Sequence, residues 1–123
     1  MKTKLLYLIF ITMVISFSSN AQLESKTFQT TVENIGEINL RFEGNVYELS
    51  TSAKVVVVKG NYEIEHKILT FTDTEGPMAC PKDVTGKYEF EYNDGNLKLK
   101  AIQDACSGRN AMATTVWKEI KTN

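Results

Sequence analysis

TGKYEFEYNDGNLKLKAIQD, residues 85 to 104, is the stretch whose reading decides the fold. Apolar and charged residues alternate strictly on both sides of Asp94-Gly95, and Asp-Gly is a favoured pair for the two central positions of a type I′ hairpin turn. Pairing about that turn sets Tyr92 opposite Leu97, Phe90 opposite Leu99 and Tyr88 opposite Ala101. On the other face Glu91 meets Lys98 and Glu89 meets Lys100. A slip of one residue would send the aromatic row to solvent and set it against lysines, so the register is strongly specified. Carried further, the same register places Asp83 opposite Cys106, and Cys80 reaches its partner by turning back through Pro81.

The same period of two runs outward from this hairpin. Ile38, Leu40 and Phe42 alternate with Asn39, Arg41 and Glu43. After Gly44-Asn45, Tyr47 and Leu49 resume the pattern, so Phe42 faces Tyr47, Leu40 faces Leu49 and Arg41 faces Glu48. Tyr62 and Ile64 answer Leu69 and Phe71 across a turn at His66-Lys67. Val55 to Val58 reads as a β-branched strand buried on both faces or lying at a sheet junction. Phe28 to Val32 supplies an opening strand and Thr114 to Lys121, around Trp117, a closing one. Asn110 to Ala113 reads as a short helical turn. Eight or nine short strands joined mostly by tight turns predict an all-β domain, either an up-and-down antiparallel barrel or a strongly coiled sheet.

At the N-terminus, Lys2 and Lys4 precede an apolar run from Leu5 to Phe17 and the small residues Ser18, Ser19 and Ala21. This is the pattern of a signal peptide, residues 1–21, cut after Ala21. The run is shorter than the roughly 20 residues that span a bilayer. The expected product is a single domain, residues 22–123, in the periplasm or the medium. It carries 12 Lys and Arg against 15 Asp and Glu, a mildly acidic balance without the basic field that nucleic acid requires. No membrane span is expected after the signal is removed. In an oxidising compartment the isolated pair Cys80 and Cys106 reads as a disulfide. On the chain-entropy view it stabilises the fold by about 3.5 kcal/mol. The rival reading, a redox or metal pair, lacks a CxxC spacing.

Several of these residues also resemble small secreted bacterial lipocalin-like proteins. They are Phe42-Glu43-Gly44-Asn45-Val46-Tyr47, Gly60-Asn61-Tyr62-Glu63-Ile64, and the run from Thr70 through Asp73, Gly76-Pro77 and Cys80. Further on, the likeness takes in Gly86-Lys87-Tyr88, Asp94-Gly95 and Asp104-Ala105-Cys106-Ser107-Gly108-Arg109, followed by Trp117. It covers roughly residues 38 to 118. The resemblance implies a calycin-type barrel of about eight strands whose cup holds a small hydrophobic molecule, with no catalysis. The chain departs from the pattern in having no Gly-x-Trp on its opening strand; Trp117 is its only tryptophan. The resemblance leaves Arg109 either packing, over a barrel end or across an aromatic ring, or capturing a ligand carboxylate, and packing is the favoured role.

The residues offer little for catalysis. With both thiols oxidised the nucleophiles are hydroxyls, and the sole histidine, His66, sits at a turn tip. Glu63 and Glu65 share a solvent face, and Asp73 with Glu75 supplies too few oxygens for calcium, which takes six to eight. No phosphate loop, zinc motif or cofactor signature occurs. The candidates for ligand lining or for core are therefore Phe42, Tyr47, Tyr62, Phe71, Tyr88, Phe90, Tyr92, Leu97, Leu99 and Trp117. The expected partner is a small hydrophobic ligand. The alternative is an envelope protein bound by a module or inhibitor whose barrel is filled by its own side chains.

Overall fold

Each alternating segment of the sequence becomes one strand of a closed antiparallel barrel. The computed structural model describes residues 22–121; the stretch read as a signal peptide lies outside them. The strands are β1 (Thr27–Val32), β2 (Gly36–Glu43), β3 (Val46–Thr51), β4 (Val56–Glu65), β5 (Ile68–Glu75), β6 (Thr85–Asn93), β7 (Asn96–Asp104) and β8 (Trp117–Ile120). A single helix, α1 (Ser107–Ala113), separates the last two. Every strand pairs with its sequence neighbour, and β1 pairs with β8 to close the ring.

All five pairs expected about Asp94-Gly95 are present. Both turn residues have positive φ, 52° and 76°, as a type I′ turn demands. The pairs expected across Gly44-Asn45 and His66-Lys67 are present too. These three two-residue turns lie at one end of the barrel. Leu23, fully buried on the turn before β1, belongs to the packing of that end.

Two expectations need correction. The β6–β7 register does not run unbroken to Asp83 and Cys106. It shifts after Tyr88–Ala101, so that Lys87 pairs with Gln103 and Gly86 with Asp104, leaving Ile102 as the extra residue. A bulge of this kind reverses which side of the sheet the following residues face. Ile102 is 53% exposed and the Asp104 side chain is fully buried. The Val55–Val58 run is likewise not buried throughout. The register shift between Leu49 and Ser50 sets Leu49 against Val58 and Ser50 against Val56. Val57 and Val58 are buried, whereas Val55 and Val56 are exposed.

A third shift, between Lys59 and Gly60, sets Lys59 against Glu75 and Gly60 against Asp73. Like the other two, it lies toward the end opposite the tight turns, and bulges bend the strands that carry them. The longer connections gather at that second end, and Cys80 and Cys106 join two of them in a disulfide 26 positions apart in sequence. The core below is built from aromatic rings meeting edge to face. Phe42 sits 4.8 Å from Tyr62 and 6.0 Å from Phe28, and Phe71 lies 4.8 Å from Tyr47 and 5.8 Å from Tyr88. Such pairs each add about 0.5–1.5 kcal/mol beyond the area they bury.

Candidate functional site

The last strand is short, and its shortness creates the site. β8 pairs with β1 only at Thr27, Phe28 and Gln29, and with β7 only at Asn96 and Leu97. Above those pairs α1 packs against β7 instead of a strand. Trp117, at the start of β8, is tied back to the helix by its indole N–H, which donates to the Ala113 carbonyl at 3.2 Å. Between helix and strands lies a cavity of about 290 Å³, with walls that are mostly apolar: Val32, Leu40, Leu49, Val58, Phe71, Leu99, Met112 and Trp117 among them. Ile35 and Met78 both line the cavity and reach solvent, and so form part of its rim.

One patch of the wall is polar. Asp73 is an inward position of β5, in phase with Leu69 and Phe71, and is 2% exposed. Its Oδ1 accepts from the Tyr47 hydroxyl and its Oδ2 from the Cys80 N–H at 2.8 Å. Asp104, turned inward by the bulge, repeats the arrangement: Oδ2 accepts from the Tyr88 hydroxyl and Oδ1 from the Cys106 N–H at 2.9 Å. Arg109 of α1 lies between the two carboxylates, its side chain 8% exposed. Its Nε and Nη2 grip Asp104 at 2.7 and 2.9 Å, and Nη2 also donates to the Val84 carbonyl at 2.8 Å. Nη1 stands 3.3 Å from Asp73 Oδ1. Each half of the disulfide thus rests, through its own backbone N–H, on a carboxylate that a tyrosine and this one arginine also hold.

Two glycines at inward strand positions make room for this. A Cβ on Gly86 would stand 2.4 Å from Asp104 Oδ2 and 2.9 Å from Arg109 Nε. One on Gly60 would stand 2.2 Å from the Thr72 carbonyl oxygen and 2.9 Å from the Tyr47 ring. Neither site tolerates a side chain without displacing the group it faces.

The electrostatics follow from the geometry. Burial pushes the Asp104 carboxyl up, but the Arg109 guanidinium, the Tyr88 hydroxyl and the Cys106 N–H outweigh it and hold the group below its ordinary value. Burial works against the charge on Arg109 as well, yet Asp104 and then Asp73 raise it above the ordinary arginine value. Burial and the Asp104 carboxylate push the Tyr88 hydroxyl well up. Tyr62 is pushed up to about 12 by burial and then by Glu24; its hydroxyl is buried with no hydrogen-bond partner among the described residues.

The residues singled out from the sequence divide into three sets. Tyr47, Phe71, Leu99, Trp117 and Arg109 line the cavity. Phe42, Tyr62, Tyr88, Phe90 and Leu97 are buried in the core and do not line it. Tyr92 is half-buried at the tight-turn end, its ring edge-on to Phe28 at 5.8 Å and its hydroxyl donating to Glu119. His66 sits exposed on the β4–β5 turn at that same end, away from the cavity. Sequence reasoning missed the two carboxylates. It set Asp73 with Glu75 in an acidic loop too poor in oxygens for calcium, though the inward phase of Leu69, Phe71 and Asp73 was a usable signal. Asp104 gave no comparable signal, because its burial depends on the bulge.

Chemically the patch is a clamp with few open valences. Each of the four carboxylate oxygens already accepts at least one hydrogen bond, and Arg109 is held from both sides, its Nη1 by the ion pair to Asp73 alone and without a hydrogen bond among the described residues. Comparison with family models, with curated proteins and with solved structures gives no match.

Proposed function

We propose that this chain is an exported, lipocalin-like binding protein that holds a small apolar molecule in the cup between α1 and the strands. The cavity carries the reading: about 290 Å³ of space with predominantly apolar walls and a rim of exposed Ile35 and Met78. Space of that kind costs packing energy when empty, and it matches the lower end of the range of small-molecule sites. Export is supported by the basic, apolar and small-residue succession of residues 1–21 and by the disulfide.

Trp117 is a built-in reporter, being the only tryptophan and part of the cavity wall. Titrating the purified protein with an environment-sensitive apolar dye should shift Trp117 emission and raise dye fluorescence at one equivalent. Native mass spectrometry should show a one-to-one adduct. If emission stays unchanged and no adduct forms, the binding reading fails.

A second reading has one observation in its favour. Ile35, Val55, Val56, Met78 and Ile102 are large apolar side chains exposed in or beside the connections at the cavity end. Clustered apolar exposure marks protein contact surfaces, so the alternative is an envelope interaction module that presents this end to a protein partner. Charged substitutions at Val55 and Val56, which do not line the cavity, separate the two: they abolish partner capture and leave dye binding intact.

A further inference from the structure

The arginine in the cavity wall would ordinarily suggest a site for an anionic head group, and the arrangement around it argues the reverse. We propose that the cup selects against anions: its ligand is an uncharged apolar molecule of about ten to twelve non-hydrogen atoms, and alkyl carboxylates are excluded. This rests on the binding reading above and goes further by naming the chemical class.

Three observations carry it. First, Arg109 is the only basic side chain among the described residues that line the cavity, and its charge is already committed. Nε and Nη2 are bound to Asp104 and to the Val84 carbonyl, and the remaining nitrogen, Nη1, is buried in an ion pair 3.3 Å from Asp73 Oδ1, without a hydrogen bond among the described residues. Second, two buried carboxylates share that single guanidinium, so the cluster keeps one net negative charge, and Asp73, which lines the cavity, is one of its two carriers. A ligand carboxylate entering here would meet like charge in a low-dielectric wall after giving up its own water. Third, the rest of the lining is mostly apolar and holds no second basic side chain among the described residues. The size follows from the volume, since a dry cavity of roughly 150 Å³ takes one benzene ring and this one is about 290 Å³.

The test uses probes of ten carbons each, 1-decanol, methyl nonanoate and sodium decanoate, at pH 7.5 and below their aggregation limits. Trp117 emission reports each titration, and displacement of a bound apolar dye confirms it. The alcohol and the ester are expected to bind within about threefold of one another, and decanoate at least tenfold more weakly. A carboxylate is costly to desolvate in any apolar cup, so the variant Asp73→Asn isolates the cluster. Removing one negative charge is expected to shrink the gap between decanoate and decanol by at least threefold. Decanoate binding as tightly as decanol in the parent protein overturns the proposal, and so does an unchanged gap in a folded Asp73→Asn. Should Asp73→Asn fail to fold, Asp104→Asn removes the same unit of charge and the same criterion applies. If none of the three probes binds, the cup reading itself falls, an outcome distinct from a cup that binds all three alike.

Discussion

The two ends of this barrel solve the same closure problem with different means. At the end of the two-residue turns, rings from β1, β2, β4 and β6 meet edge to face, Leu23 is buried in the same core, and no charged side chain among the described residues is buried there. At the other end three bulges, a helix in place of strand pairing and a disulfide leave an open cup, and the polar residues that line it are tied into one ion-paired cluster. Packed apolar contact is tolerant, because hydrophobic side chains of similar volume substitute for one another at modest cost. A buried ion cluster is not, because removing one partner strands the others without water. The cup end should therefore respond sharply to single polar substitutions that the turn end absorbs.

The largest effect is expected from Asp104→Ala. It takes from Arg109 its bidentate partner, from Tyr88 its acceptor and from Cys106 its N–H cap. Loss of one partner from a buried pair costs about 3–5 kcal/mol, measurable by urea unfolding followed by circular dichroism. A cost below about 1 kcal/mol would mean that the cup end is as forgiving as the packed end.

Acid should act on the same group by titration. Asp104 is held below its ordinary pKa in the folded protein, so its contribution is complete above the unfolded value of about 3.9. It is lost as pH falls from there through the folded-state value. Unfolding free energies measured from pH 5 down to pH 2 should fall more steeply for the parent than for Asp104→Asn. Parallel profiles would remove Asp104 from the account of acid stability.

A set of three tyrosines makes the smallest and sharpest comparison. Tyr47→Phe deletes a buried donor to Asp73 and should cost about 1.5–3 kcal/mol, the range for hydrogen bonds to charged groups. Tyr92→Phe deletes a half-exposed donor to Glu119 at the turn end and should cost less than about 1 kcal/mol. Tyr62→Phe removes a buried hydroxyl without a partner among the described residues, and should leave stability within about 1 kcal/mol of the parent in either direction. Equal costs for Tyr47 and Tyr92 in thermal melts would erase the contrast between the ends.

Much of the barrel was legible from residue order. The aromatic row of Tyr88, Phe90 and Tyr92 faced its leucines and alanine as expected, and the turns at Gly44-Asn45, His66-Lys67 and Asp94-Gly95 fell where alternation changed direction. Cys80 and Cys106 joined in the disulfide read from their being an isolated pair. Of the site, Tyr47, Phe71, Leu99, Arg109 and Trp117 were among the residues singled out, without an indication of which rings would line space and which would fill it.

Strand phase, hairpin register and turn position belong to the sequence by itself, because a pleated strand with one buried face writes its orientation into every second residue. The tertiary structure alone decided where the ladder skips a residue, how far β8 reaches, and that Asp73, Asp104 and Arg109 meet. Those outcomes depend on bending a sheet until its first and last strands touch. They also depend on satisfying charges brought together from β5, β7 and α1, and neither constraint leaves a local pattern for the chain to display.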